Sequence, residues 1–456
     1  MKKLTVLPVL LTGLLQSPGF RFSVGSFQCE KRVFPKTENS KLYTAGLFAK
    51  VLLLMIGASC ASQETQDTPR IDRSLIGTHG LIWDLDLLQQ VPEFEYLDST
   101  SRVREILFKG PDHSGESTKV FAYYSNPDIM RTGKNQGNRF PGVVLISGGA
   151  QAGVKEWVER WTHEGYAAIT CDYGNTRSDE ACGPTPATFE DRLDLIYNSI
   201  AKGPRAVRAY RTAAIAMLAH SLLLSFPEVD KAKTAVTGIS WGGFQTCIVS
   251  GIDNRFKAAA SVYGCAFHDE IVFKKYLENN MSEAGRQLWM SKIDPKNYLI
   301  YSQCPSLFIN GNRDGCFDIV PFDKTTKLVP EEQRHVRITP NMGHSHPAGW
   351  KPREIAAFFN SVLDHGVPLA RITKIDKQDK AIVFDYESAL SITDAKFYYS
   401  NDTRNTNADR VWKSIPAKMA GRKIESPYPE EGFTMGFLYI TDTMDLTVSS
   451  ELLINN

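Results

Sequence analysis

A serine stands between two glycines at the point where an apolar run gives way to a helical pattern. The stretch reads "AVTGISWGGF", with Ser240 flanked by Gly238 and Gly242. A G-x-S-x-G pattern that follows a strand and opens a helix is typical of a nucleophile elbow, a turn too tight for side chains at the flanking positions. Such a turn lifts the hydroxyl above the sheet, so Ser240 is the predicted nucleophile. The alternative is a tight strand–helix turn that contains an incidental serine.

A serine hydroxyl attacks a carbonyl only when a base removes its proton and an acid orients that base. In chains with this turn, the acid and then the base follow the serine, each at the end of a strand. Asp314 follows the apolar run "CPSLFING" and is the predicted acid, with Asp318 in reserve. His344, which comes after the run "HVRITP", is the predicted base, and His346 is the alternative.

Acyl transfer also needs donors for the negative oxygen of the tetrahedral intermediate. Trp241 is the first predicted donor, because the N-terminus of a helix has free N–H groups that point outward. The run "VVLISGG" ends in glycines that leave the backbone unobstructed, and Gly149 is the predicted second donor. These glycines could instead serve only a chain reversal.

The two neighbouring histidines also suggest a metal site, in which His344 and His346 bind an ion with Asp314 or Asp318 as further ligands. Nothing else in the sequence adds a convincing group of ligands. The cysteines after residue 60 show no CxxC spacing. They are Cys171, Cys182, Cys247, Cys265, Cys304 and Cys316. We therefore expect neither a metal nor an organic cofactor.

The elements that must position these residues follow a clear pattern from residue 141 onward. Apolar runs alternate with helical patterns, which predicts a parallel sheet covered on both faces. The predicted strands include "PGVVLISGG", "YAAITCDYGN", "KTAVTGIS", "FKAAASVYG" and "CPSLFINGNRD". Shorter β-like runs precede them. The predicted fold class is α/β, a mostly parallel sheet with helices on both faces that forms a catalytic domain over residues 80–369.

Near residue 370 the helical period disappears. Short aromatic-rich segments such as "AIVFDYES" and "DAKFYYSND" alternate with turn residues. This pattern predicts a small all-β sandwich, an accessory domain over residues 370–456. Its aromatic residues could form a platform for sugar rings, although aromatic residues in such strands are more often core residues.

The first 60 residues are predicted to be an export or lipoprotein signal. "MKKLTVLPVLLTGLL" has the basic start and short apolar run of an export signal. The run "VLLLMIGASC" ends at Cys60 and resembles the signal of a bacterial lipoprotein, whose cysteine becomes the lipidated first residue. Residues 61–79 then form a linker. We expect an exported protein, anchored to a membrane through Cys60 or else secreted.

The chain carries 52 basic and 51 acidic residues, a formal net charge of +1. Such a balance provides no field that would capture nucleic acid or an anionic membrane. We therefore expect no nucleic-acid partner, and a membrane contact only through a lipid on Cys60.

Several stretches together resemble the α/β-hydrolase superfamily, and most closely its dienelactone hydrolase, prolyl oligopeptidase and acetylxylan esterase branch. They are "VVLISGG", "HEGYAAITCDYGN", "KTAVTGISWGGFQ", "CPSLFINGNRDG" and "NMGHSH", within roughly residues 100–365. The resemblance implies that Ser240 is the nucleophile, Asp314 the acid and His344 the base. The chain departs from the family at Ser147, where many relatives have histidine, so the resemblance assigns the triad but not the second oxyanion donor.

These observations predict an exported serine hydrolase that cleaves carboxylic esters through an acyl-enzyme. The expected substrate is a small ester or an acetylated polysaccharide, with acetyl esters on polysaccharide as the first choice. A serine peptidase of the prolyl oligopeptidase type is the first alternative. Such peptidases carry a large β-propeller ahead of the hydrolase, and the roughly 80 residues between Cys60 and the first buried strand are too few for one. A non-catalytic surface binding protein is the second alternative.

Overall fold

The computed structural model describes residues 81–112, 117–149, 153–173, 197–402 and 407–455. The predicted signal, the lipidation site Cys60, the linker over 61–79 and Cys182 lie outside the described residues and stay predictions. Within the described residues, no helix combines the length and the apolar character needed to cross a membrane.

Nine strands form one large sheet, in the order β1-β2-β3-β5-β4-β6-β7-β8-β9. They are β1 Phe94–Asp98, β2 Arg104–Lys109, β3 Lys119–Ser125, β4 Phe140–Ile146, β5 Ala167–Cys171, β6 Val229–Ile239, β7 Ala258–Val262, β8 Ser306–Arg313 and β9 Arg334–Gly343. The strands β1, β2, β3 and β5 pair antiparallel in that order. From β5 to β9 every neighbouring pair is parallel. This confirms the predicted mostly parallel sheet.

Helices flank the sheet on both faces. Those of the described residues are α1 Leu85–Leu88, α2 Pro127–Thr132, α3 Lys155–His163, α4 Arg208–Ser225, α5 Trp241–Ile252, α6 Lys274–Asn280, α7 Glu283–Lys292, α8 Ile319–Thr326, α9 His346–Trp350 and α10 Glu354–Leu363. Alternate residues of a strand point to opposite faces. Accordingly, Leu145 of β4 belongs to one hydrophobic cluster with α3 and α10, and Val144 belongs to a second cluster with α4.

The rest of the chain forms two antiparallel sheets, in the orders β10-β11-β15-β14 and β13-β12-β16-β17, with β18 paired to β16. Their strands are β10 Arg371–Lys377, β11 Ala381–Glu387, β12 Ile392–Ser400, β13 Lys413–Pro416, β14 Lys418–Ala420, β15 Lys423–Pro427, β16 Met435–Asp442, β17 Thr447–Ser449 and β18 Leu453–Ile454. Phe384 of β11 and Phe397 of β12 are both buried, with ring centroids 6.3 Å apart. The two sheets therefore share a core, as the sequence predicts, and Phe397 is a core residue.

The C-terminal sheets pack against β9, the last strand of the large sheet. The described residues form one compact unit. Thr447 of β17 carries much of this contact. Its Oγ1 accepts a 2.8 Å hydrogen bond from Arg337 Nε of β9 and donates a 2.7 Å bond to Glu354 of α10. Glu354 is buried and Arg337 nearly so, which makes this a fixed interface.

Candidate active site

Ser240 stands alone between the last residue of β6 and the first residue of α5. Its φ of 60° and ψ of −117° lie in a region that residues with a side chain seldom adopt. Two hydrogen bonds hold it there. Ser240 N–H donates to the Val262 carbonyl at 2.8 Å, and Phe244 N–H donates to the Ser240 carbonyl at 3.0 Å. The strained turn is thus fixed on both sides.

The glycines that flank this serine have no room for a side chain. A Cβ atom at Gly238 would lie 2.2 Å from the Gly242 carbonyl oxygen. One at Gly242 would lie 1.9 Å from the Ile146 carbonyl oxygen, at the end of the neighbouring strand β4. Both distances are far inside van der Waals contact, so the sharp turn requires glycine at both positions.

The structure brings Ser240, His344 and Asp314 into one hydrogen-bonded chain. His344 Nε2 lies 2.8 Å from Ser240 Oγ, and Nδ1 of the same ring lies 2.8 Å from Asp314 Oδ2. Asp314 is 1% exposed. Its other carboxylate oxygen accepts backbone N–H bonds from Cys316 at 2.6 Å and Phe317 at 2.8 Å. These bonds fix the carboxylate so that its second oxygen faces the imidazole.

The two reserve candidates make other contacts. Asp318 precedes α8, and its Oδ1 is 3.7 Å from Arg410 Nη1, so this carboxylate faces an arginine. His346 is the first residue of α9, and its ring packs against Trp350 with centroids 6.1 Å apart. Burial and the neighbouring His344 lower the pKa of His346. A neutral imidazole at pH 7 follows.

The loop after β4 lies directly against the nucleophile. A Cβ atom at Gly148 would be 2.9 Å from Ser240 Cβ and 2.7 Å from His346 Nε2, so this close approach needs glycine. Gly149 has a φ of +63° and open space around its Cα. Trp241 begins α5, where an N–H group has no carbonyl of its own helix to reach. The roles of Gly149 and Trp241 as oxyanion donors stay predictions.

Two aromatic residues that the sequence analysis did not single out enclose the His344 ring. Its centroid is 4.6 Å from that of Tyr263 and 5.9 Å from that of Phe317. The Tyr263 hydroxyl also donates toward the carbonyl oxygens of Gly343 at 3.0 Å and Ser345 at 3.2 Å, on either side of the histidine. Tyr263 directly follows β7, so a search of every strand end would have found it.

Asp314, Cys316 and His344 place possible metal-ligand atoms within 4.8 Å of one another. Both imidazole nitrogens, however, already have hydrogen-bond partners. Burial, with a smaller effect of Asp314, raises the pKa of the Cys316 thiol to about 12. A thiol binds metal as the thiolate, and at neutral pH this one is protonated. These residues therefore suit a hydrogen-bonded chain better than a metal.

Residues 129–351 match the dienelactone hydrolase family. Over 143 residues the chain is 30% identical to an uncharacterized peptidase, YuxL, of Bacillus subtilis (strain 168). That match covers 28% of this chain and 21% of the peptidase, so the chain spans about a fifth of that curated relative.

Among solved structures, an acetyl xylan esterase from Paenibacillus sp. R4 is 18% identical, with a TM-score of 0.47 over 61% of this chain and 92% of the esterase. An acylaminoacyl peptidase of Pyrococcus horikoshii is 16% identical, with a TM-score of 0.44 over 61% of this chain and 43% of the peptidase. The family match covers β4 to β9 and the turn at Ser240. Residues 129–351 of this chain are thus a dienelactone hydrolase family domain, built on a mostly parallel sheet.

Proposed function

We propose that this protein is a serine hydrolase that cleaves carboxylic esters through an acyl-enzyme. One observation carries the proposal: His344 is 2.8 Å from both the Ser240 hydroxyl and the Asp314 carboxylate. A nucleophile within hydrogen-bonding reach of a base, itself oriented by a buried acid, is the arrangement that acyl transfer needs. The His344 side chain is 22% exposed, so a substrate can reach it.

The reaction follows from these positions. His344 Nε2 takes the Ser240 proton while Oγ attacks the ester carbonyl, and the carbonyl oxygen becomes an oxyanion. The N–H groups of Trp241 and Gly149 stabilise that charge; losing one such donor raises a barrier by about 3–4 kcal/mol. The imidazolium then protonates the leaving alcohol. Water, activated by the same imidazole, releases the acid and restores the serine.

Asp314 acts on the imidazole and not on the substrate. Its Oδ2 accepts the Nδ1–H bond, which keeps Nε2 unprotonated and aimed at Ser240 Oγ. The same carboxylate stabilises the imidazolium that forms during each half-reaction. Because Asp314 is buried and held by two backbone N–H groups, it does this without rearrangement.

Trp241, the residue after the nucleophile, belongs to a buried aromatic cluster. The Trp241 ring stacks on Phe244 with centroids 4.6 Å apart and packs 6.1 Å from His268 and 6.4 Å from Trp289. All four residues are nearly or fully buried. Because this packing fixes the Trp241 side chain next to the nucleophile in sequence, we infer that a short acyl group such as acetyl suits the site best. An exported protein with an accessory β domain would meet acetylated polysaccharide, which we propose as its natural substrate, with a lipid on Cys60 as its anchor.

A serine peptidase is the second candidate, and the similarity to the Bacillus peptidase favours it. The segment ahead of the family match weighs against it. The strands of this segment, β1, β2 and β3, extend the large sheet itself. This segment therefore does not build the separate propeller that we expect of such a peptidase.

A substrate panel separates these candidates. The full chain and its Ser240→Ala variant would be assayed on p-nitrophenyl acetate, p-nitrophenyl octanoate, acetylated xylan and a dipeptide anilide. We expect Ser240-dependent hydrolysis of the acetyl esters, slower hydrolysis of the octanoate and none of the anilide. Cleavage of the anilide alone would identify a peptidase. Equal, slow hydrolysis by both proteins would leave only a binding protein.

A further inference from the structure

The C-terminal region contacts the loop that contains Asp314. A short turn between β12 and β13, residues 407–410, lies against the loop of residues 313–318, here called the acid loop. Arg313 Nη1 donates to the Ala408 carbonyl oxygen at 3.2 Å. A Cβ atom at Gly315 would be 3.6 Å from Ala408 Cβ, which is ordinary van der Waals contact. The turn therefore contacts the residues on both sides of Asp314.

The same turn reaches the residues that follow. Asn407 Nδ2 lies 3.5 Å from the Phe317 carbonyl oxygen, to which Asn310 of β8 also donates at 2.9 Å. Phe317 is the residue whose N–H group holds the Asp314 carboxylate and whose ring lies beside His344. A shift of the turn would thus be felt at Phe317, and through it at the carboxylate.

The 407–410 turn is itself rigid. Asn407 is 1% exposed and Arg410 is 3% exposed. Arg410 donates to Asn407 Oδ1 at 2.6 Å and to the Asp402 carbonyl at 3.2 Å, and it faces Asp318 at 3.7 Å. A buried guanidinium with several partners is costly to move, because any partner it leaves stays buried without a hydrogen bond.

We propose that the 407–410 turn is a positioning element of the active site, which keeps the acid loop in place so that Asp314 stays aligned with His344. This inference rests on the proposed function. It assigns the C-terminal sheets a part in the chemical step, in addition to any role in binding a polymer. Neither Asn407 nor Arg410 contacts the reacting atoms, so both are positioning residues.

The same variants distinguish this positioning role from substrate binding by the turn. The turn also lines a cavity of about 580 Å³, whose other walls include Asp314, Cys316, Lys274 and Lys275. If the turn bound substrate there, its loss would raise KM. A positioning role instead lowers kcat and leaves KM unchanged, because the missing interaction matters only when the imidazole gains its proton.

The test uses p-nitrophenyl acetate, a substrate too small to depend on polymer binding. The variants are Arg313→Ala, which shortens an exposed side chain, and Asn407→Ala, which removes a buried amide. Thr447→Val is the matched control, because it removes hydrogen bonds between the same two parts of the chain but at β9 and α10. We expect kcat to fall about tenfold in Arg313→Ala/Asn407→Ala with KM unchanged, and to stay at the wild-type value in Thr447→Val.

A second measurement does not depend on activity. The Nδ1–H proton of a histidine bonded to a buried carboxylate gives a separate low-field resonance in proton NMR. This resonance should weaken or shift in the double variant and stay unchanged in Thr447→Val. An unchanged kcat and resonance in the folded double variant, or a raised KM alone, would overturn the positioning role. Inactivity of the wild type with an intact resonance would instead refute the proposed function.

Discussion

Within the part of the chain that the structure describes, two aspartate–histidine–hydroxyl chains have nearly the same geometry. In the first, His344 joins Asp314 to Ser240, with both contacts at 2.8 Å. In the second, His220 of α4 joins Asp253 to Thr234 of β6, with both contacts at 2.9 Å. Distance alone does not tell the two apart.

Their surroundings differ in every respect that matters for catalysis. Thr234, His220 and Asp253 are each completely buried, and the His220 ring stacks on Phe256 at 3.8 Å. Thr234 lies within a regular strand, whereas Ser240 occupies a strained turn at the start of a helix. Arg255 also binds Asp253 through two contacts of 2.7 Å. Hydroxyl, imidazole and carboxylate become a catalytic group only where a substrate can enter and backbone N–H groups await the oxyanion.

The pKa directions agree with this difference. Burial lowers the pKa of His220, although Asp253 opposes that shift. Burial alone would raise the pKa of Asp253, but the contacts with His220 and Arg255 outweigh it and lower that pKa. The buried chain is therefore a neutral imidazole beside a carboxylate that Arg255 neutralises, which is a structural arrangement.

Removing the hydroxyl of Ser240 or of Thr234 should give the largest difference between the two chains, with a loss of kcat in the first and a loss of stability in the second. Ser240→Ala should lower kcat on p-nitrophenyl acetate by about 10⁴- to 10⁶-fold, because the nucleophile is lost. Thr234→Val should leave kcat within about twofold and lower the free energy of unfolding by about 1–3 kcal/mol, because His220 Nε2 loses its partner. Initial rates and urea unfolding measure the two quantities. A strong loss of kcat in Thr234→Val would contradict the structural role of the buried chain.

Substitution of the two aspartates should also affect kcat in one chain and stability in the other. Asp314→Asn should lower kcat by about 10³- to 10⁴-fold with a modest change in stability, because the imidazole loses the carboxylate that selects its tautomer. Asp253→Asn should keep kcat in the folded protein but cost about 3–5 kcal/mol of unfolding free energy, since Arg255 is left without its charge partner. Thermal unfolding and active-site titration would be measured on both. Equal kcat losses would mean that the buried chain also supports catalysis.

Buried imidazoles should also appear in the pH dependence of stability. Burial lowers the pKa of His268 from 6.5 to about 3, so the folded protein keeps this ring neutral while the unfolded chain takes up a proton below about pH 6.5. Stability is then lost as pH falls, by about 1.4 kcal/mol per pH unit, or about 2 kcal/mol between pH 6.5 and pH 5. His268→Phe should remove this part of the slope in urea unfolding. Parallel slopes for the two proteins would refute it.

The smallest effect is expected at His346. His346→Asn should leave kcat within about threefold, because His344 already provides the bond to Ser240, whereas loss of a general base costs 10²- to 10⁴-fold. His344→Asn, measured in parallel, should be nearly inactive. A reversed order would exchange the roles of the two histidines.

The sequence could predict the parts of the fold and site that depend on local constraints. Glycines at fixed spacing around Ser240 mark the turn, and the ends of apolar runs mark Asp314 and His344. The buried parallel strands read as continuous apolar segments. By contrast, every residue of β1 except Asp98 is exposed, so this strand has no alternating pattern. The short helices α6 and α7 bury few side chains and leave equally little signal.

The sequence could not predict contacts between distant parts of the chain. Tyr263, Phe317 and the 407–410 turn reach the site through tertiary packing, and no local pattern brings them together. The His220 chain is equally invisible, because no local sequence pattern marks any of its three members. A sequence therefore shows which side chains could react, whereas the fold decides which of them are positioned for reaction and which are buried away from substrate.

The backbone at position 240 would suit glycine better than serine, since glycine adopts a φ of 60° without strain. Serine at this position costs stability but keeps the hydroxyl that the proposed reaction needs. Exchanging Ser240 for glycine should therefore raise the thermal stability of the protein and abolish the proposed hydrolysis.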